Sequence, residues 1–240
     1  MKKVESMIPI KTESAWRGTS DCRNCGIREM VLFANLNEHD FAQIHAPIDD
    51  LEFSQGAAIY AEGSSAQGVF TLRSGIVKLV RSTVDGRQRI VRVLRSGDVI
   101  GLEALAAAQY DSDAIALTSS SVCRIPLSVI QKLSSGSPRL LAQLMLKWQQ
   151  TLKDADDWLA DLNFGTARQR VGNLVLKMRT AENSAISMLF SREDMGAMLD
   201  LKLETVSREI SRLVREGTIE PLDKQGRIYR VCHPERIPAH

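Results

Sequence analysis

An α+β protein in three parts is what the chain encodes at first reading: an antiparallel β-barrel of jelly-roll type toward the N-terminus, one long helix, and a C-terminal winged helix-turn-helix. Three observations point there. Residues 51–126 hold short runs of alternating apolar and polar side chains, divided by Gly63, Gly75, Gly86, Gly97 and Gly101, the texture of half-buried strands joined by turns. From residue 138 to about 164 the pattern becomes a 3.5-residue apolar repeat, which belongs to a helix with a narrow seam. Beyond Gly165 come helical stretches joined by a brief turn, then two extended pieces around Lys224-Gln225-Gly226, the order of a helix-turn-helix followed by a hairpin wing. The expected division is 1–50, 51–135, 136–164 and 165–240.

Composition permits this plan. Hydrophobic residues make up 44% of the 240 and charged residues 25%, so a packed core is expected and disorder is not. A formal net charge of +2 neither demands nor excludes a nucleic-acid partner, and the placement of the charges must decide. No apolar run approaches the roughly 18 to 20 residues that cross a bilayer, and the opening MKKVESMIPIKTES lacks the apolar centre of a signal peptide. Cys22, Cys25, Cys123 and Cys232 are too scattered for a disulfide framework, which predicts a reducing, cytoplasmic setting and no membrane.

Taken in order, LNEHDFAQIHA predicts a helix before residue 50. GVFTLRS, IVKLVRST and RQRIVRVLRS read as strands, and Asp85-Gly86 between the last two marks a hairpin, because glycine accepts the positive φ of a tight turn. Strands at this spacing build a barrel or jelly roll. In the long helix Leu141, Met145, Trp148, Leu152, Ala155, Leu159 and Leu162 step by fours and threes. The alternative is a helix packed on its own barrel, but that would show a wider apolar face. Lys147, Gln149, Gln150, Lys153, Asp154, Asp156 and Asp157 lie between, so the seven apolar residues are expected to form the seam of a parallel homodimer. TARQRVGNLVLKMRTAEN predicts a helix with Val171, Leu174, Val175 and Met178 on one face. Ser191 is an N-cap for the next, with Asp194 completing an approximate capping box, and a longer helix is closed by Gly217.

That last helix, KLETVSREISRL, carries the functional signal. Val206, Ile210, Leu213 and Val214 recur at helical spacing and anchor it, while Glu204, Ser207, Arg208 and Ser211 fall on the opposite side. A helix in the major groove of double-stranded DNA needs that division: one side packs and the other meets base edges. Arg208 can bind guanine O6 and N7 together, and Glu204 can accept from the cytosine amino group. An ordinary i,i+4 surface pair is the alternative for Glu204 and Arg208; the short helix before and the hairpin after favour DNA. Arg192, Lys202, Thr205, Arg212, Lys224 and Arg227 are the expected phosphate contacts.

With TLRSGIVKLV, LRSGDVIG, the long helix and SREDMGAMLDLKLETVSREISRLVREG, the chain resembles the cyclic-AMP receptor protein/fumarate-nitrate regulator (CRP/FNR) family of bacterial transcription factors over nearly its full length. The resemblance implies a cyclic-nucleotide-binding-like barrel and a sequence-specific regulator that acts as an activator. It implies that Glu204, Ser207 and Arg208 read one half of a TTGAT-type palindrome, and that residues 82–87 contact RNA polymerase. Two rivals are weaker. An enzyme on a cupin-like barrel needs clustered ligands, and residues 51–126 contain no histidine; no histidine sits beside a plausible nucleophile either. The second is a cyclic-nucleotide-binding regulatory module acting on a protein partner, and a gel shift against a TTGAT-bearing palindrome separates both rivals from a DNA reader.

The signal is less legible. Cyclic AMP is not expected, because GLEALAAAQYDSDAIAL has no arginine and its Asp111 and Asp113 would repel a phosphodiester. Heme would need an axial ligand, for which His39 and His45 are the candidates. The oxygen-sensing members of the family imply a [4Fe-4S] iron–sulfur cluster held by an N-terminal cysteine trio and one barrel cysteine. Cys22 and Cys25 match two of the trio and Cys123 the barrel position. The remaining place falls on Val31, which cannot ligate, so a cluster would have to recruit Asp21, Glu29 or solvent. Reversible oxidation of Cys22 and Cys25, and control without metal, are the other readings.

Overall fold

The computed structural model describes residues 8–10, 49–84, 86–136, 138–180 and 183–237. The chain divides into two compact units, with one boundary inside the long helix between Leu152 and Lys153. The first unit is built on β1 (Ile8–Ile10), β2 (Asp49–Phe53), β3 (Ala58–Tyr60), β4 (Gly68–Ser74), β5 (Val77–Ser82), β6 (Gln88–Leu94, of which residues 88–90 group with the second unit), β7 (Val99–Ile100), β8 (Asp113–Ala116) and β9 (Ser120–Pro126). They form two antiparallel sheets, ordered β1-β2-β9-β4-β7 and β3-β8-β5-β6, so the expected barrel is a jelly roll of two sheets over a common core. Leu51, Leu72, Ile100 and Val122 enter that core from one sheet, and Val77, Leu79, Ala114 and Ala116 from the other. Alternation does the sorting: in β2, Leu51 and Phe53 are buried and Glu52 between them is exposed. Gly86 has φ +80 and donates its N–H to the Thr83 carbonyl, the hairpin turn that its sequence predicts.

Two features depart from expectation. The first sheet begins before residue 51: β2 starts at Asp49, and β1 pairs with it in the register Ile10↔Asp50. The second is a helix, α1 (Leu127–Gly136), which sends Val129, Ile130 and Leu133 into the core. A short apolar run after Pro126 has no period that separates it from a strand.

The long helix, α2 (Pro138–Asn163), opens on proline, whose missing N–H costs nothing at a first turn. It has two apolar faces. Leu140 and Leu144 are buried in the jelly-roll core. Leu141, Met145, Trp148, Leu152 and Leu159 stand 44–66% exposed on another face, and Ala155 is half-buried. Leu162 corrects the expected seam: it is only 2% exposed, inside its own chain, and leaves the stripe.

The second unit contains α3 (Ala167–Lys177), β10 (Ile186–Met188), α4 (Arg192–Leu199), α5 (Leu203–Arg215), β11 (Ile219–Pro221) and β12 (Ile228–Val231), with the sheet order β10-β12-β11. Thr166 and Gln169 close a reciprocal capping box at the start of α3. That helix ends at Lys177, earlier than its apolar face predicts, because the chain turns back so that the Met188 N–H donates to the Met178 carbonyl. Val171, Leu174, Met195, Leu199, Val206, Ile210, Leu213 and Tyr229 are buried in this unit. Among the described residues no helix is long and apolar enough to cross a membrane.

Candidate nucleic-acid interface

Two caps and one close approach fix the helix-turn-helix. The Ser191 hydroxyl accepts from the Asp194 N–H at 3.0 Å and donates to the Asp194 carboxylate at 2.7 Å. Aspartate, one methylene shorter than glutamate, meets the capping hydroxyl. After α4 the chain turns at Asp200, whose φ of 54 is left-handed, a conformation that aspartate tolerates better than most residues. The Leu201 N–H then donates to the Gly196 carbonyl at 3.1 Å. A β-carbon on Gly196 would lie 2.7 Å from the Leu201 carbonyl oxygen, so only glycine lets the turn pass this close. Gly196→Ala is expected to destabilise the unit by about 1–3 kcal/mol and to weaken binding to every duplex. Thermal unfolding checks it, and an unchanged melting temperature would show that the turn opens without cost.

On α5 the periodicity holds. Val206, Ile210 and Leu213 are buried and Val214 is half-buried, whereas Glu204, Arg208 and Ser211 are exposed and Ser207 is half-exposed. The Arg208 side chain is 72% exposed; its nearest charged neighbour is Glu209, at 3.9 Å. Glu204 sits in the first turn, where the positive end of the helix dipole favours a carboxylate. Glu209 is the surprise on this helix: it is buried beside the anchors, and its Oε2 has no hydrogen-bond partner among the described residues.

The expected phosphate contacts separate into free and engaged groups. Lys202 and Lys224 are exposed, and Thr205 and Arg227 are half-buried. Arg212 donates from Nε to Glu216 at 3.0 Å, and Arg168 grips the same carboxylate with both terminal nitrogens. This joins the end of α5 to the start of α3. Arg168, then Arg212, holds the Glu216 carboxyl down to about 2. Its folded value is depressed, so the network contributes above the ordinary value of 4.5 and is lost as the pH falls toward 2. Arg192 is also engaged: Nη2 donates to the Tyr229 hydroxyl at 2.7 Å and Nη1 approaches the Met195 sulfur at 3.6 Å. It does not stand free, as an isolated phosphate contact would.

Cys22, Cys25, Asp21, Glu29, Val31, His39 and His45 lie outside the described residues. Cys123, on β9, donates its S–H to Asp50 at 2.9 Å, and Asp50 also accepts from Arg73 at 2.7 Å. Only the protonated thiol can make that bond, so a metal–thiolate role would require giving it up. Among the described residues no group of three or more His, Cys, Asp or Glu could hold a metal ion; by themselves they do not compose a cluster site. Cys232 is exposed just after β12.

Within the jelly roll, Tyr60 and Tyr110 stack with centroids 3.8 Å apart. The Tyr110 hydroxyl donates to the Gly68 carbonyl at 2.7 Å. Burial, reinforced by Glu103, pushes the Tyr60 hydroxyl far up and keeps it protonated. Asp113 accepts from the Glu62 N–H at 2.7 Å, and Asp111 is exposed. Asp113 is thus committed to its own backbone partner.

Comparison with known proteins agrees with this geometry. Residues 50–136 match the cyclic nucleotide-binding domain family, and residues 169–237 match the Crp-like helix-turn-helix domain family. The fumarate and nitrate reduction regulatory protein of Yersinia pestis is 28% identical over 205 residues, 82% of each chain. Its counterpart in Escherichia coli K12 is 27% identical over the same length. Among solved structures, FixK2 from Bradyrhizobium japonicum superposes with a TM-score of 0.70 at 27% identity, covering 79% of this chain and 95% of that one.

Proposed function

Because the chain belongs to the CRP/FNR family of DNA-binding transcription regulators, we propose that it is a cytoplasmic homodimeric activator that reads a TTGAT-type palindrome and answers to oxygen or redox state. The observation that carries the reading is the division of α5: Val206, Ile210 and Leu213 hold the helix, and Glu204, Ser207 and Arg208 are left to face a groove. Base reading requires unspent donors and acceptors, and Arg208 has the geometry for guanine. In the proposed dimer the exposed stripe of α2 meets its copy, and two reading helices enter successive major grooves about 34 Å apart. Val84, fully exposed in the loop between β5 and β6, is the candidate point of contact for RNA polymerase.

The redox part rests on the Cys22/Cys25 pair and on the similarity to regulators of fumarate and nitrate reduction. If Cys22, Cys25 and Cys123 held an iron–sulfur cluster, the group would supply oxygen-labile chemistry, and the chain would owe it one further ligand in place of Val31.

One experiment tests both parts. Fluorescence anisotropy is measured with a TTGAT palindrome and a scrambled duplex, using protein purified without oxygen and the same protein after exposure to air. The palindrome is expected to bind at least about 10³-fold more tightly than the scrambled duplex, and air is expected to shift that affinity. Equal affinity for both duplexes removes the sequence-reading function; sequence preference that ignores air removes the redox signal alone.

A further inference from the structure

We infer that Arg192 and Tyr229 are positioning residues that hold the wing turn where Lys224 can meet a backbone phosphate; this rests on the DNA-binding reading above. Tyr229 lies in β12 and is 3% exposed. Its hydroxyl accepts from Arg192 at 2.7 Å, and the guanidinium carbon lies 5.9 Å from the ring centroid. The bond spans 37 residues and ties the first residue of α4 to the wing.

The turn itself rests on that pair. Gly226 has φ +64, and a β-carbon there would fall 3.1 Å from the Tyr229 hydroxyl and 3.5 Å from Arg192 Nη2. On the other side, the Asp223 carboxylate accepts from the N–H groups of Arg227 and Ile228, both at 2.8 Å. Lys224 is exposed between these two fixed points. A lysine side chain has four rotatable torsions and cannot specify its own direction; only the backbone from which it departs can be fixed in advance. Fixing it before the duplex arrives spares ordering entropy at binding. Because α4 also leads through the Asp200 turn into α5, one element sets both the reading helix and the wing.

The consequence separates positioning from charge. Tyr229→Phe removes no charge, yet it is expected to lower the slope of log affinity against log salt by about one, as if a phosphate contact were lost. Lys224→Ala should weaken binding about threefold to tenfold in the wild-type background and lower the same slope by about one. In the Tyr229→Phe background it should have almost no further effect, since coupled residues are non-additive. The measurement is anisotropy at several salt concentrations with the TTGAT palindrome, with the melting temperature of each variant alongside. Gly226→Ala, which pushes a methyl group against the same hydroxyl, replaces Tyr229→Phe if the latter unfolds, with the same outcome expected. An unchanged salt slope in Tyr229→Phe, a full Lys224→Ala effect in that background, or no Lys224→Ala effect in the wild type overturns the inference. A wild-type protein that ignores duplex altogether removes the DNA reading itself, and the inference with it.

Discussion

Arg208→Ala is expected to bind the palindrome about 10- to 100-fold more weakly and to lose its preference for guanine at one position of each half-site. The size follows from a bidentate arginine–guanine pair, about 1–3 kcal/mol of discrimination. The selectivity follows from where the residue stands. The Arg208 side chain is 72% exposed, and its charged neighbour, Glu209, is 3.9 Å away, too far for a strong pair. Removing it therefore leaves the fold intact, and the melting temperature should not move. Duplexes with that guanine replaced should already bind the wild type poorly and show little further loss with the variant. Glu204→Ala makes the contrast on the same face, because its loss should relax a different base pair. If Arg208→Ala keeps the wild-type ranking of duplexes, the register assigned to α5 is wrong.

The division of α5 into a buried and an exposed face was legible for a physical reason. Helical spacing is local, so Val206, Ile210 and Leu213 announce the buried side of α5 within three turns, and the polar remainder is the other side. The strands were legible where one face is buried, as in β2. What sequence could not show depends on partners far along the chain. β1 is a strand because it pairs with β2, some forty residues on. Arg192 reads locally as a free cation, and only the fold brings the Tyr229 hydroxyl to it. Arg212 reads as a phosphate contact, but Glu216 already holds it, in common with Arg168 from 48 residues away. An exposed cation in sequence is a statement about periodicity; a free one is a statement about tertiary structure. Leu162 obeys the seam's heptad and yet is buried, because a repeat predicts which face a residue shares and not what covers it.

Met145→Glu combined with Leu152→Glu is expected to convert the proposed dimer to monomer and to reduce affinity for the palindrome about 10²- to 10⁴-fold. The two residues stand 66% and 60% exposed on the free face of α2, seven apart, so each faces its own copy across a parallel seam. Burying such side chains contributes about 1.5–3 kcal/mol each, and the substitutions exchange that gain for facing carboxylates. Affinity falls steeply because two linked reading heads find the second half-site at high effective concentration, whereas separate monomers must meet it from solution. Sedimentation gives the oligomeric state and anisotropy the affinity. Single half-site duplexes supply the internal check: monomer and wild type should bind them alike, since Glu204, Ser207 and Arg208 are untouched. Leu162→Ala should do the opposite, lowering stability by about 2–5 kcal/mol while leaving the dimer assembled, because that side chain is buried inside its own chain. A doubly substituted protein that still sediments as a dimer would place the interface elsewhere, and the exposed stripe of α2 would then need a different partner to cover it.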